Sequence, residues 1–371
     1  MIKVGVTGSN GFIGWHLCQT LRLDSNKYVV IEFNREWFNE DKKLDIFVSK
    51  CDVIIHLAGL NRHSEDEVIY NTNIGLAEKL IESFNRTGFK GQVLFSSSIQ
   101  EERNNIFGNS KKLAKELFYN WAINAEANFK GLLIPNVFGA FGKPFYNSVV
   151  STFCHQLVNN ETPKIENDVT LNLIYINDLI KVVIDLIDVK TIENINISYT
   201  DSYKVSEILE LLLAFKLKYY EKGQIPNFNK KFELNLFNTF RSYFDLNGHF
   251  PIKYTNNIDD RGNFVEVIKL EIGGQVSFST TKKGITRGNH FHTRKVERFS
   301  VIKGEALIQL RKVGDIDTFD YYLSGAEPAY VDMPIWYTHN IKNIGKEDLY
   351  TVFWINEFYN PNDPDTYFEI V

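Results

Sequence analysis

Four side chains in the C-terminal third could share one cation. Gly288-Asn-His290-Phe-His292-Thr-Arg-Lys-Val-Glu297 supplies two imidazoles and a carboxylate. Pro334-Ile-Trp-Tyr-Thr-His339-Asn-Ile-Lys-Asn343, one hairpin later, supplies a third imidazole. Side chains alternate along a strand with period two, so positions 290 and 292 face one side and both rings can meet the same metal. Three His and one Glu hold a divalent cation while leaving positions open for water or substrate, zinc ranking ahead of iron, manganese and nickel. Any one of these histidines alone would pass as a core or surface residue. Four in two spaced motifs define a site.

A second chemistry is written at the N-terminus. The apolar run Ile2–Val6 reads as a buried strand, and Thr7-Gly8-Ser9-Asn10-Gly11-Phe12-Ile13-Gly14 leads from it into a helix with apolar period through Leu17 and Leu21. Gly8 permits the tight turn, Gly11 lets backbone approach a pyrophosphate, Gly14 allows close helix–strand packing, and Phe12 and Ile13 open the helix whose N-terminus faces the negative charge. The bland alternative is an ordinary βα turn; the position directly after a first strand favours a dinucleotide. After the next strand, Tyr28–Phe33, stand Asn34 and Arg35 where NAD binding would want an acid, which directs the choice to NADPH. Asp52–Gly59 is a near-continuous apolar strand that, past Leu57, ends in the small residues Ala58 and Gly59, which let backbone approach the ligand; Leu57 and Ala58 are the cofactor-binding candidates there. Asn73 opens a further helix, and Val93–Phe95 is a strand that runs into Ser96-Ser97-Ser98.

The elements needed to position these groups require two cores, because 371 residues exceed what one core comfortably organises. Residues 1–244 read as an α/β doubly wound parallel sheet, with charged helix from 178 to about 240 and an aromatic run, Phe232–Phe244, that packs a helix. Near 245 the segment Asn-Gly-His-Phe-Pro breaks helix, and residues 245–371 read as short alternating strands with glycine turns, an all-β barrel. A net charge of −5, from 41 basic and 46 acidic residues spread along the chain, offers no face to a nucleic acid. Three scattered cysteines argue against a disulfide framework. The chain lacks an apolar run of bilayer length and a leader-like N-terminus, so a soluble cytoplasmic protein is expected, with neither nucleic acid nor membrane as partner.

Taken together, the N-terminal motifs resemble the extended short-chain dehydrogenase/reductases that modify sugar nucleotides. That resemblance gives Ser98 the role of hydrogen-bonding the reacting oxygen and Lys111 that of holding the nicotinamide ribose. Pro135 would lie on the nicotinamide side, and Asn136, Tyr146 and Asn147 would meet the sugar. Asp178 reads as a helix cap. Where the family's catalytic tyrosine belongs, in Phe107-Gly-Asn-Ser-Lys111, this sequence has phenylalanine. A phenyl ring cannot donate a proton, which leaves three readings: natural loss of reduction, an engineered substitution, or a substitute donor. Tyr119, on the same helix, lies too many turns away to be an obvious replacement.

The two histidine motifs resemble the cupin signature. Asp260-Arg261-Gly262-Asn-Phe264-Val-Glu266 with Thr286-Arg287-Gly288-Asn-His290 is similar to the deoxysugar 3,5-epimerases, in which Arg261 and Glu266 would hold the sugar nucleotide. The residue matching His290 is the base in those enzymes, a role that conflicts with metal binding, so Tyr337, Lys303 and Glu357 stand as other candidates. In its domain order, with Phe145-Tyr146-Asn147-Ser148 and Pro364-Asp365-Thr366-Tyr367-Phe368, the chain resembles the bifunctional capsular-polysaccharide enzymes that form UDP-2-acetamido-2,6-dideoxy-L-talose. The resemblance implies C3 epimerisation in the barrel, NADPH-dependent C4 reduction in the first domain, a UDP-linked keto sugar as partner and a homodimer.

Overall fold

Runs of Val, Ile and Leu build the first sheet. In a computed structural model that describes residues 1–103, 105–259, 262–265, 267–270, 274–357 and 360–371, they form strands β1 (Ile2–Thr7), β2 (Tyr28–Ile31), β3 (Val53–His56), β4 (Gln92–Ser98) and β5 (Asn128–Ile134). With Ile192–Asn196 these make one six-stranded parallel sheet, ordered β2-β1-β3-β4-β5 and then 192–196. Val4, Val6, Ile54, Ile55, Val93 and Leu94 are fully buried, as expected of a parallel sheet covered on both faces. Between the strands run α1 (Phe12–Leu23), α2 (Asp41–Ser49), α3 (Asp66–Thr87) and α4 (Ile106–Ala125). One core joins Phe47, Phe84, Phe118 and Trp121 of these helices to Ile54, Val93, Phe95 and Phe129 of the sheet. A smaller sheet of 136–138, 170–175 and 201–204 completes this part of the chain.

Three local expectations change. Asn73 does not open a helix: α3 begins at Asp66, and the buried Asn73 amide bonds Leu60 N at 2.7 Å, Leu60 O at 3.0 Å and Ser110 Oγ at 2.9 Å. Asp178 is not the cap, since Tyr175 precedes the helix Ile176–Asp185 and Asp178 lies in its first turn, where a carboxylate complements the helix dipole. Residues 178 to 240 are not all helical, because Ile192–Asn196 and Asp201–Lys204 are strands.

The chain forms two compact units, Met1–Thr152 with Ile165–Ser206, and Phe153–Lys164 with Glu207–Val371. The compositional boundary at 244/245 falls inside the second unit for a physical reason. Its helix Lys231–Arg241 docks on the β-structure, Asn238 donating to the Arg294 carbonyl at 3.0 Å and Arg241 to that of Met333 at 2.7 Å. Arg298 grips Asp332 through two bonds of 2.7 and 2.9 Å, and the Tyr219 hydroxyl donates to the same carboxylate. Among the described residues the β-structure is built on two five-stranded antiparallel sheets, with two-stranded pairings of 224–225 with 269–270 and of 256–259 with 262–265 beside them. One orders 252–253, 329–333, 297–303, 349–355 and 275–281; the other 318–324, 305–312, 337–343, 286–291 and 367–368. Asp260, Arg261 and Glu266 lie outside the described residues.

Candidate functional site

In the first unit, the turn after β1 is built on glycine because nothing else fits. Gly8 has φ +75°, and a Cβ there would come within 2.8 Å of the Ala58 amide nitrogen. A Cβ on Gly14 would stand 2.1 Å from the Gly8 carbonyl oxygen, so its close packing is against the loop itself. Gly11 caps α1 without a side chain, and the first turn carries no acid, which leaves helix N–H groups and the positive dipole end to an anion. This cradle opens into a cavity of about 620 Å³ lined by Gly8, Gly11, Phe12, Ile13, Leu57, Ser98, Phe107, Lys111, Pro135, Asn136, Tyr146 and Asn147. Ala58 lies behind Gly8. Asn34 and Arg35 are exposed and not among the lining residues; the Asn34 side chain accepts from Glu36 N at 3.0 Å, capping the turn that Arg35 begins.

Among the lining residues, Ser98 Oγ accepts from Gln100 N at 3.2 Å and so keeps its own hydrogen to donate. Lys111 is buried, with Nζ 4.4 Å from the Phe95 ring centroid. Burial pushes its ammonium down to about 7, against the opposing pull of Glu101. Beneath it a buried Glu101–Lys115 ion pair also receives the Ser97 hydroxyl at 2.6 Å, fixing the chain after β4. The half-buried Phe107 ring presents no polar atom. Tyr119 packs against Phe129 instead of entering the cavity. Tyr146 brings a phenol into it, the oxygen accepting from Asn61 N at 3.4 Å. Asn10, Gly59, Asn61, Gln100 and Lys143 also line it; isolated polar residues in loops give no periodic signal by which a sequence could single them out.

In the second unit, His290, His292, Glu297 and His339 converge, with ligand atoms all within 4.8 Å of one another. Both sheets contribute, which is how the two inner faces meet. His290 and His339 come from paired strands, Glu297 begins a strand of the other sheet, and His292 follows the strand end at Phe291. More chain than one hairpin separates the motifs, since 305–312, 318–324 and 329–333 intervene. His292 Nε2 lies 3.1 Å from Glu297 Oε2. His339 Nε2, 3.2 Å from the same oxygen, is buried without a hydrogen bond in acceptable geometry. A buried imidazole nitrogen left in that state beside a carboxylate is the donor set a divalent cation completes, so these residues fit a metal.

The electrostatics follow from burial and proximity. His290 is pushed down to about 4, by burial first and then by His339 and His292, so it is neutral at neutral pH. Burial opposes a charge on His292, but the Glu297 hydrogen bond leads the attractions that raise it. Burial likewise works against the Glu297 carboxylate, and the two histidines outweigh it, holding it well below the usual range. A pocket of about 180 Å³ opens on the set, lined also by Ser279, Arg287, Phe299, Met333 and Asn340. None of the other candidate bases lines it. Tyr337 is raised to about 12 by burial and by Asp315, the largely exposed Lys303 lies 3.8 Å from Glu347, and Glu357 pairs with Arg294 at 3.2 Å.

A glycine-cradled cavity on a parallel sheet and a His/Glu set between two antiparallel sheets define the class, a dinucleotide-binding enzyme carrying a second, β-structured site. The model of the NAD dependent epimerase/dehydratase family matches residues 4–198, and that of the polysaccharide biosynthesis C-terminal domain matches 257–367. The chain belongs to the NAD dependent epimerase/dehydratase family. It is 32% identical over 369 residues to UDP-2-acetamido-2,6-beta-L-arabino-hexul-4-ose reductase of Pseudomonas aeruginosa, covering 99% of this chain and 98% of that one. Among solved structures it is similar to the capsular polysaccharide assembling protein CapF of Staphylococcus aureus, at 34% identity, TM-score 0.63 and full coverage of both chains. RMD from Pseudomonas aeruginosa, solved with NADPH, shares the fold at 19% identity and TM-score 0.54, over 58% of this chain and 83% of that one.

Proposed function

We propose that the chain acts on a UDP-linked 4-keto-6-deoxy-acetamido sugar, epimerising C3 in the second unit and reducing C4 with NADPH in the first, to give UDP-2-acetamido-2,6-dideoxy-L-talose for L-fucosamine-containing polysaccharide. The observation that carries this reading is the presence on one chain of a glycine-cradled cavity and a converging His/Glu set, together with a full-length relative named as a reductase of a UDP-linked 4-hexulose. We place the enzyme in the cytoplasm and read it as a homodimer.

A 4-ketone acidifies the neighbouring C3–H, so removing that proton and returning it on the opposite face inverts C3. His290, His292, Glu297 and His339 would hold the divalent cation, zinc first, which when bound supplies positive charge to the enolate oxygen. Arg287, lining the same pocket, offers a second cation. Arg261 and Glu266 are assigned to the sugar nucleotide. In the first unit Gly8, Gly11, Phe12, Ile13, Leu57, Ala58, Lys111 and Pro135 would hold the dinucleotide, with Asn34 and Arg35 toward a 2′-phosphate. NADPH, when bound, supplies the hydride. Ser98 donates to the C4 oxygen, and Asn136, Tyr146 and Asn147 position the sugar.

One residue favours a second reading, epimerase alone. Phe107 stands where the alkoxide needs a proton, and loss of a general acid costs about 10²–10⁴ in rate. Incubating the 4-keto substrate in D₂O separates the two. Deuterium at C3 with concurrent loss of NADPH absorbance supports the bifunctional reading. Exchange without NADPH consumption, restored by Phe107→Tyr, supports epimerase alone. No exchange at all sinks both.

A further inference from the structure

The Pro364-Asp365-Thr366-Tyr367-Phe368 segment has no part in the chemistry above, yet its contacts end on the candidate metal set. Asp365 is 1% exposed and has φ +39°, a left-handed conformation that costs a non-glycine residue energy unless its surroundings fix it. They do. One carboxylate oxygen accepts from Thr293 N at 3.0 Å and Thr293 Oγ1 at 2.7 Å, the other from Arg294 N at 3.0 Å and Lys295 N at 3.1 Å. These donors form the turn between His292 and Glu297. The Asp365 carbonyl meanwhile lies 2.5 Å from His292 Nδ1. A carbonyl only accepts, so Nδ1 carries the hydrogen and Nε2 is the nitrogen that faces Glu297.

We infer that Asp365 is a positioning residue for the metal centre. Its carboxylate fixes the spacing of His292 and Glu297, and its carbonyl sets the tautomer and orientation of the His292 ring. The pairing of Phe368 with His290 and Tyr367 with Phe291, and the bond from Glu369 N to the Asn289 carbonyl at 3.0 Å, extend the same clamp along the first histidine motif. An outer partner of this kind orients a ligating imidazole and raises its basicity, and its loss weakens metal binding about 10- to 100-fold. The inference rests on the metal reading above.

The test uses the full-length chain and the metals alone. Zn²⁺ affinity is measured by chelator competition in wild type, Asp365→Ala and Thr293→Val, Co²⁺ absorption spectra report the ligand field, and ¹⁵N-detected histidine NMR reports the His292 Nδ1 proton. We expect Asp365→Ala to bind Zn²⁺ about 10- to 100-fold more weakly, with an altered Co²⁺ spectrum and a shifted His292 Nδ1–H signal as the unclamped main chain moves its carbonyl, while NADPH binding stays unchanged. Thr293→Val, which removes one bond to the carboxylate and no ligand, should weaken binding by a smaller factor and decides the matter if Asp365→Ala does not fold. Wild-type affinity and spectrum in the folded variants would overturn the clamp and leave the metal reading standing. A wild-type chain that binds neither metal would overturn both.

Discussion

Lys111 shows how a single buried charge links chemistry to stability. Its ammonium sits at about 7 in the fold, against an ordinary 10.5, with burial the leading cause. Between those values the unfolded chain holds a proton that the folded chain has released, so stability rises with pH across that window and its full benefit is lost as pH falls through 7. Without ligand, Lys111→Met should therefore melt above wild type at pH 7, and the gap should close as pH climbs toward 10. Thermal melts in a pH series check this, and a constant gap would mean that burial of the charge is not the cause. His56, beneath the same site, is pushed down to about 3 by burial and then by Lys111, so its Nδ1, 2.6 Å from Thr7 Oγ1, stays a neutral partner of the loop. A phenyl ring at 107 leaves Tyr146 as the phenol lining this cavity, its oxygen accepting from Asn61 N at 3.4 Å.

The glycine turn is decided at the scale of the element, because its constraint is backbone against backbone. A methyl on Gly14 would meet the Gly8 oxygen at 2.1 Å, and Ser9 Cα at 2.9 Å, with no flexible side chain to move aside. Gly11 has one contact at 3.2 Å, which a few tenths of an ångström relieve. Gly14→Ala should thus destabilise the first unit by about 1–3 kcal/mol and weaken NADPH binding at least tenfold, while Gly11→Ala is milder. Calorimetric titration with NADPH ranks the two. The same contrast explains what the sequence could display. Glycines at positions 8, 11 and 14 and histidines at 290 and 292 announce themselves by type and spacing. Asn73, Asp365 and the strand Ile192–Asn196 do not, because each is defined by distant partners: Leu60 and Ser110, the 293–295 turn, and β5. The helix Lys231–Arg241 looks like an ordinary amphipathic helix, and only its bonds to Arg294 and Met333 place it with the β-structured unit.

At the scale of the whole molecule, the two sites draw on separate residues. All side chains lining the larger cavity belong to the first unit, and all those lining the smaller pocket to the second. The proposed epimerisation would draw on a cation and a proton shuttle but no redox cofactor, and the proposed reduction on the dinucleotide cradle but no metal ligand. If both reactions occur, lesions must sort by unit. His339→Ala removes one donor of the set, so metal content and C3 exchange should fall at least 100-fold while NADPH affinity stays within about twofold of wild type. Gly14→Ala should do the reverse, retaining metal and exchange and losing NADPH binding. Chelation should lower the melting temperature of wild type, since metal binds only the folded state, and leave His339→Ala nearly unmoved. Inductively coupled plasma metal analysis, deuterium exchange at C3 and NADPH titration on the same preparations make the comparison complete. A His339→Ala chain that still exchanges C3 at the wild-type rate would remove epimerisation from the second unit, and one that also lost NADPH would remove the division of labour itself.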